Sequence, residues 1–158
     1  MENTLDFFKK LDFDNGLETV LAILRYFPMQ YGTTLGIDGA PQIRPLEFKF
    51  EEDGVLYFDT VEFYDSYKEM QNYPYLQLCV GDQDTMTYLR LGGKVNFTKD
   101  EAVINRCFEN SPVLKSQFDY RRELVIGYYL TEAWAKFESF NKELPKREYR
   151  LKNQFDVI

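Results

Sequence analysis

Apolar positions along this chain recur with two periods, and the switches between them lay out the elements. Leu17, Val20, Leu21 and Leu24 fall at helical spacing and form one stripe. Asn15 precedes the stripe and Glu18 follows it by three residues, which is the pattern of a capped helix start; Pro28 ends the run. From Tyr31 to Ile37 the period drops to two, with Tyr31, Thr33, Leu35 and Ile37 on one side. Asp38-Gly39 is a hairpin signal. A second strand is expected from about Gln42 to Glu51, with Arg44, Leu46, Phe48 and Phe50 sharing a face. Asp53-Gly54 is another hairpin signal, and Val55 to Thr60 reads as a third strand, so the first three strands are expected to form a meander.

Asp65-Ser66 reads as the cap of a short helix reaching about Asn72, with Ser66 and Glu69 as a capping box and Pro74 as the stop. Tyr75 to Val80 and Thr85 to Phe97 read as the fourth and fifth strands, and Gly92-Gly93 marks a bulge or bend in the fifth. Thr98-Lys99-Asp100-Glu101 is a third capping box and opens a helix with Val103, Ile104, Cys107 and Phe108 on one side. Ser111-Pro112 starts another short helix. Leu124 to Leu130 and Ala133 to Phe140 read as the last two strands, and residues 141–158 as a charged tail behind a single domain of residues 1–140. Strands joined by tight turns favour antiparallel pairing. The aromatic share is 17%, with 14 Phe and 12 Tyr, which suits pleated, half-buried surfaces. The expected class is mainly β with short helices, arranged as a closed or nearly closed antiparallel barrel.

Composition narrows the function. A net charge of −7 without a basic stripe argues against nucleic acid, and an acidic surface argues against anionic membranes. No apolar run has the length of a membrane span, and Met1-Glu2-Asn3-Thr4 lacks the basic start of a signal peptide, so a cytoplasmic location is expected. Cys79 and Cys107 have no CxxC spacing and are expected to be buried, unreactive residues. The chain contains no histidine, which removes Ser-His-Asp triads, Cys-His pairs and histidine-based metal sites. Glu51-Glu52 and Asp82 with Asp84 lie in expected turns and read as solvated charge.

Two basic residues stand apart. Arg44 lies within a strand directly before Pro45, and Lys68 lies on the helix that follows Thr60. If they converge, they make an anion site to which the helix start near Ser66 adds N–H donors; if they do not, they are an edge-strand arginine and a solvated helix lysine.

Four stretches then carry a resemblance. They are Gly39-Ala40-Pro41-Gln42-Ile43-Arg44-Pro45-Leu46; Leu56-Tyr57-Phe58-Asp59-Thr60 with Tyr67-Lys68-Glu69-Met70-Gln71-Asn72-Tyr73-Pro74; Tyr88-Leu89-Arg90-Leu91-Gly92-Gly93-Lys94-Val95; and Glu109-Asn110-Ser111-Pro112-Val113-Leu114-Lys115. In this order and spacing they resemble the pyridoxamine 5'-phosphate oxidase-like FMN-binding split barrels, and most of all the nitroimidazole-resistance branch. The resemblance implies a split antiparallel barrel, a homodimer with flavin at the interface, and FMN as cofactor, with a deazaflavin as the other candidate. It places Arg44, Pro45 and Leu46 along the flavin and Thr60, Tyr67 and Lys68 at its phosphate. Phe58 and Asp59 would line the same wall, and Tyr88 and Arg90 would come from the second subunit. No histidine follows Arg147 in the tail, so the substrate signature of the B6 oxidases is missing, and with it the histidine of the nitroimidazole branch. The implied activity is flavin-dependent reduction of a small aromatic or nitro-type compound. A non-catalytic flavin-binding or sensing module and a barrel without cofactor are the alternatives.

Overall fold

Residues 3–151 are described by a computed structural model. A helix that the apolar spacing does not announce, α1 (Thr4–Lys9), is capped by Asn3, whose Oδ1 accepts the Asp6 backbone N–H at 2.8 Å. α2 (Gly16–Tyr26) starts where its cap dictates: Asn15 Oδ1 accepts the Glu18 N–H at 3.2 Å. Its stripe of Val20, Leu21, Ile23 and Leu24 is buried in the main core.

The strands are β1 (Gln30–Leu35), β2 (Pro41–Leu46), β3 (Phe50–Glu52), β4 (Val55–Val61), β5 (Tyr75–Asp82), β6 (Thr87–Thr98), β7 (Val125–Ser139) and β8 (Arg147–Leu151). Between them lie α3 (Asp65–Asn72), α4 (Glu101–Glu109), α5 (Pro112–Phe118) and a 3₁₀ turn over Asp119–Leu124. All pairings are antiparallel, and the eight strands run in the order β2-β1-β5-β6-β7-β4-β3, with β8 added to β7. The mainly β, split-barrel architecture expected from the sequence is therefore present.

The expected meander is not. The second apolar run breaks at Glu47–Lys49 into two strands with different partners: β2 pairs with β1, and β3 with β4. The buried amide of Gln30 pins the crossing. Its Oε1 accepts the Phe48 N–H at 2.7 Å, and its Nε2 donates to the carbonyls of Leu24 and Phe27. Lys49 N–H then donates to the Tyr57 carbonyl at 3.0 Å and starts the second pairing. β1 keeps its other edge for β5.

The two final strands are one. β7 runs through Thr131-Glu132 with Glu132 at φ 52, opposite a register shift between Gly92 and Lys94 in β6. This bulge is the bend expected at Gly92-Gly93. It divides the other edge of β7: residues 125–129 pair with β4, and residues 133–137 pair with β8. This division is what splits the barrel.

The segment expected to be a charged tail thus supplies a strand. Tyr149 and Leu151 turn inward while Glu148 and Arg150 face solvent, an alternation that the run of charges conceals. The Tyr149 ring lies over Gly16, where a Cβ would stand 2.6 Å from it, and its hydroxyl donates to the Phe13 carbonyl. Residues 152–158 of that tail lie outside the described residues.

Two caps differ from expectation. Asp100 rather than Thr98 caps α4, accepting from the Ala102 and Val103 N–H groups. α3 begins at Asp65 with Tyr64 at its cap position and no side-chain cap bond, because Ser66 and Glu69 have partners elsewhere in the fold. Ser111 caps α5 as read, accepting the Leu114 N–H. Cys107 is buried as expected, but Cys79 is exposed, since it alternates outward on β5.

Candidate functional site

A cavity of about 490 Å³ lies between the edge strand β2 and the strand β4. Its walls come from β1 and β2, from the crossing segment Glu47 to Lys49, and from β4; α3 and α5 close its sides. Most of the lining is apolar, including Leu46, Met70, Leu76, Leu114 and Phe118. The size and lining are those of a small-molecule site.

Five of the ten expected cofactor residues meet here: Arg44, Pro45 and Leu46 from β2, and Asp59 and Thr60 from β4. β2 and β4 are not neighbours in the sheet, so only the fold brings the two segments together. The other five are elsewhere in the chain. Phe58 alternates to the opposite face of β4, is fully buried, and stacks on Tyr128 with centroids 5.4 Å apart. Tyr67 packs edge-on against Phe97, and Lys68 is exposed on α3; neither lines the cavity. Tyr88 and Arg90 sit on β6, where Tyr88 donates its hydroxyl proton to Glu138 and Arg90 reaches Gln77 and the Trp134 ring.

Every charged group on the wall has an opposite charge beside it. Arg44 donates to Glu69 from both terminal nitrogens, Nη1 to Oε2 at 2.8 Å and Nη2 to Oε1 at 3.3 Å. Thr34 Oγ1 donates to the same carboxylate and accepts from Arg44. The Arg44 hydrogen bond holds the Glu69 carboxyl below its ordinary value despite burial, and Thr34 assists. Deeper in, Lys49 lies between two carboxylates, 2.6 Å from Glu47 Oε2 and 3.5 Å from Asp59 Oδ2. Glu47 also accepts from Ser111 Oγ at 2.8 Å, which ties this cluster to the start of α5.

Asp59 differs from the rest. Its Oδ2 is buried and accepts no hydrogen bond. Burial pushes its carboxyl up to about 6, against the opposing pull of the neighbouring Lys49 ammonium, with Glu47 adding a little to the rise. Nearby, Cys107 is pushed up to about 12, mainly by burial and then by the charge of Asp59, so its thiol is no nucleophile at neutral pH.

At the mouth, Thr60 Oγ1 and Ser66 Oγ stand 3.1 Å apart, at the start of a helix whose first turn no side chain caps. Two hydroxyls beside an uncapped helix start can receive a phosphate. The residues present therefore fit a phosphorylated aromatic cofactor: apolar walls for the ring, hydroxyls and the α3 terminus for the phosphate. Sequence reading missed Glu69, Glu47 and Lys49. Their signal was available only as charges at inward positions of apolar segments.

No protein-family model matches the sequence, and no curated protein matches it. Solved structures do. A NimC/NimA family protein from Clostridium acetobutylicum is 23% identical, superposes with a TM-score of 0.74, and is matched over 87% of this chain and 94% of its own. A protein from the same organism, related to general stress protein 26 of B. subtilis and of the pyridoxinephosphate oxidase family, is 12% identical with a TM-score of 0.69, over 89% of this chain and 97% of its own. An F420 reductase is 20% identical with a TM-score of 0.56, over 71% of this chain and 93% of its own. The chain has the split-barrel fold of these pyridoxamine 5'-phosphate oxidase-like proteins. Among the described residues, no helix is long and apolar enough to cross a membrane.

Proposed function

We propose that this chain binds FMN in the cavity between β2 and β4 and uses it to reduce a small aromatic or nitro-type compound. The observation that carries this reading is the meeting of Arg44-Pro45-Leu46 with Asp59-Thr60 around a cavity of about 490 Å³. Both segments belong to the stretches that resemble flavin-binding barrels. The flavin would supply the electrons, and the chain would bind and orient it. Leu46, Leu76 and Met70 would exclude water from the ring, while Thr60 and Ser66 would hold the phosphate at α3.

The reading extends to a homodimer with the flavin at its interface. The outward face of β2, β1 and β5 supports it, since Ile43, Tyr31 and Tyr75 are exposed there side by side with Cys79. The resemblance implies that the second copy would contribute its Tyr88 and Arg90 to the flavin. A cytoplasmic location is part of the same reading.

The test is a titration of the purified protein with FMN, followed by gel filtration and a visible spectrum. Flavin bands that stay with the protein, and that bleach with NAD(P)H and return with an acceptor, support the reductase. Retained FMN without turnover supports a carrier or sensor. A deazaflavin belongs in the same titration, because an F420 reductase shares the fold.

A further inference from the structure

The charged groups around the cavity do not balance. Arg44 is taken by Glu69 through two hydrogen bonds. Lys49 is shared by Glu47 and Asp59. Three carboxylates thus meet two cations, and neither cation is left over for a ligand anion. The surplus sits at Asp59, which lines the cavity; its Oδ2 is buried 3.5 Å from Lys49 Nζ with no well-formed hydrogen bond. A nearly buried carboxylate that is incompletely hydrogen-bonded costs free energy, and a donor supplied to it from the cavity reduces that cost.

We infer that Asp59 is the polar anchor of the cavity, and that its carboxylate accepts a hydrogen bond from an N–H or cationic nitrogen on the edge of a planar ligand. This rests on the cavity being the ligand site, as argued above, and adds which end of the ligand enters first: the nitrogen-bearing edge, with any anionic group left at the mouth. Asp59 is held for this task. Lys49 is 94% buried at its side chain and is fixed by Glu47, which Ser111 fixes in turn. The groups facing Asp59 are Lys49, Glu47, Cys107 and Tyr128. Lys49 is the one cation among them, and its contact with Asp59, at 3.5 Å, is the longer of its two ion pairs.

The test uses two planar probes of one shape and opposite charge, benzamidine and benzoate, titrated calorimetrically into the full chain at pH 7.5. The variants are Asp59→Leu, which removes the acceptor, and Asp59→Asn, which keeps an acceptor oxygen; near-ultraviolet circular dichroism checks that each is folded. The parent is expected to bind benzamidine at least tenfold more tightly than benzoate. The preference should vanish in Asp59→Leu and survive in part in Asp59→Asn. If Asp59→Leu does not fold, loss of at least half of the preference in Asp59→Asn carries the same weight. Equal binding of the two probes by the parent, no binding of either, or a preference untouched by both substitutions overturns the inference. FMN is titrated separately. Failure of FMN to bind while the benzamidine preference holds removes the flavin reading and leaves the anchor standing; FMN binding without the preference does the reverse.

Discussion

Arg44 and Glu69 form a forked pair beside the cavity, with Nη1 to Oε2 at 2.8 Å and Nη2 to Oε1 at 3.3 Å, and Thr34 completes the ring. The Glu69 side chain is 7% exposed and that of Arg44 33%, so the pair is partly shielded from water. Removing one member leaves the other with an unpaired charge. Glu69→Ala is expected to lower stability by about 2–4 kcal/mol, measured as a shift in the urea midpoint at constant slope. The Glu69 carboxyl sits below its ordinary value, so its contribution is present at neutral pH and is lost as pH falls through the depressed folded-state value. The parent and Glu69→Ala should therefore converge in acid. A gap that stays constant down to acid pH would show that the pair does not act through charge.

This pair also marks how far the sequence could be read. The strand period, the hairpin glycines and the caps at Asn15 and Ser111 act over a few residues, and they placed most elements correctly. Arg44 stood out because an arginine inside an apolar strand needs a partner. Glu69 did not, since its spacing from Ser66 fits a local capping box equally well, and only the fold decides that Arg44 takes it. The crossing at Glu47–Lys49 was hidden for a similar reason. Leu46, Phe48 and Phe50 keep a strand-like alternation across it, and the hydrogen bond that breaks the run comes from Gln30, 18 residues earlier. β8 was hidden by composition, because charged residues occupy its outward positions.

Asp59 gives a pH dependence of opposite sign to that of Glu69. Its folded-state value is raised from 3.8 to about 6, so the native protein holds a proton that the unfolded chain releases near pH 4. Between about pH 4 and 6 the native state binds more protons, and this group's contribution falls as pH rises. The full effect is at most roughly 3 kcal/mol. Asp59→Asn cannot titrate. Its melting temperature should exceed the parent's at pH 7.5, and the difference should shrink as pH falls through 6 and close below about pH 4. A difference independent of pH over that range would show that Asp59 is not titrating as stated.

Lys68 and Arg44 separate cofactor binding from stability. Lys68 is exposed on α3, and no ion pair of it is recorded among the described residues, so Lys68→Ala should leave the urea midpoint within about 0.5 kcal/mol of the parent. If Lys68 reaches the FMN phosphate, as the resemblance implies, the same change should weaken FMN by about 1.5–3 kcal/mol and leave riboflavin binding unchanged. Arg44→Ala should weaken FMN and lower stability together, because it also strands Glu69. Fluorescence titration with the two flavins reads both. Equal losses for FMN and riboflavin in Lys68→Ala would place the lysine away from the phosphate.

Gly92 tests the bulge that splits the barrel. A Cβ at this position would stand 2.6 Å from Trp134 Cζ2 and 2.8 Å from its Cε2, across the β6–β7 pair. The ring also carries Arg90 and Lys136, with the Arg90 guanidinium 5.7 Å and the Lys136 Nζ 6.0 Å from its centroid. A shift of the ring away from Gly92 disturbs these contacts. Gly92→Ala should therefore destabilise by about 1–3 kcal/mol, the range for overpacking a filled site. Trp134 is the single tryptophan of the chain, so its emission reports the displacement directly. Greater solvent contact should move the emission to longer wavelength in the native protein and leave the unfolded spectrum unchanged. Trp134→Phe should relieve part of the cost when combined with Gly92→Ala, because a smaller ring vacates the space that the new methyl needs. Additive losses in the double variant would mean that the two residues do not contend for one volume, and that Gly92 is required for the backbone register of the bulge instead.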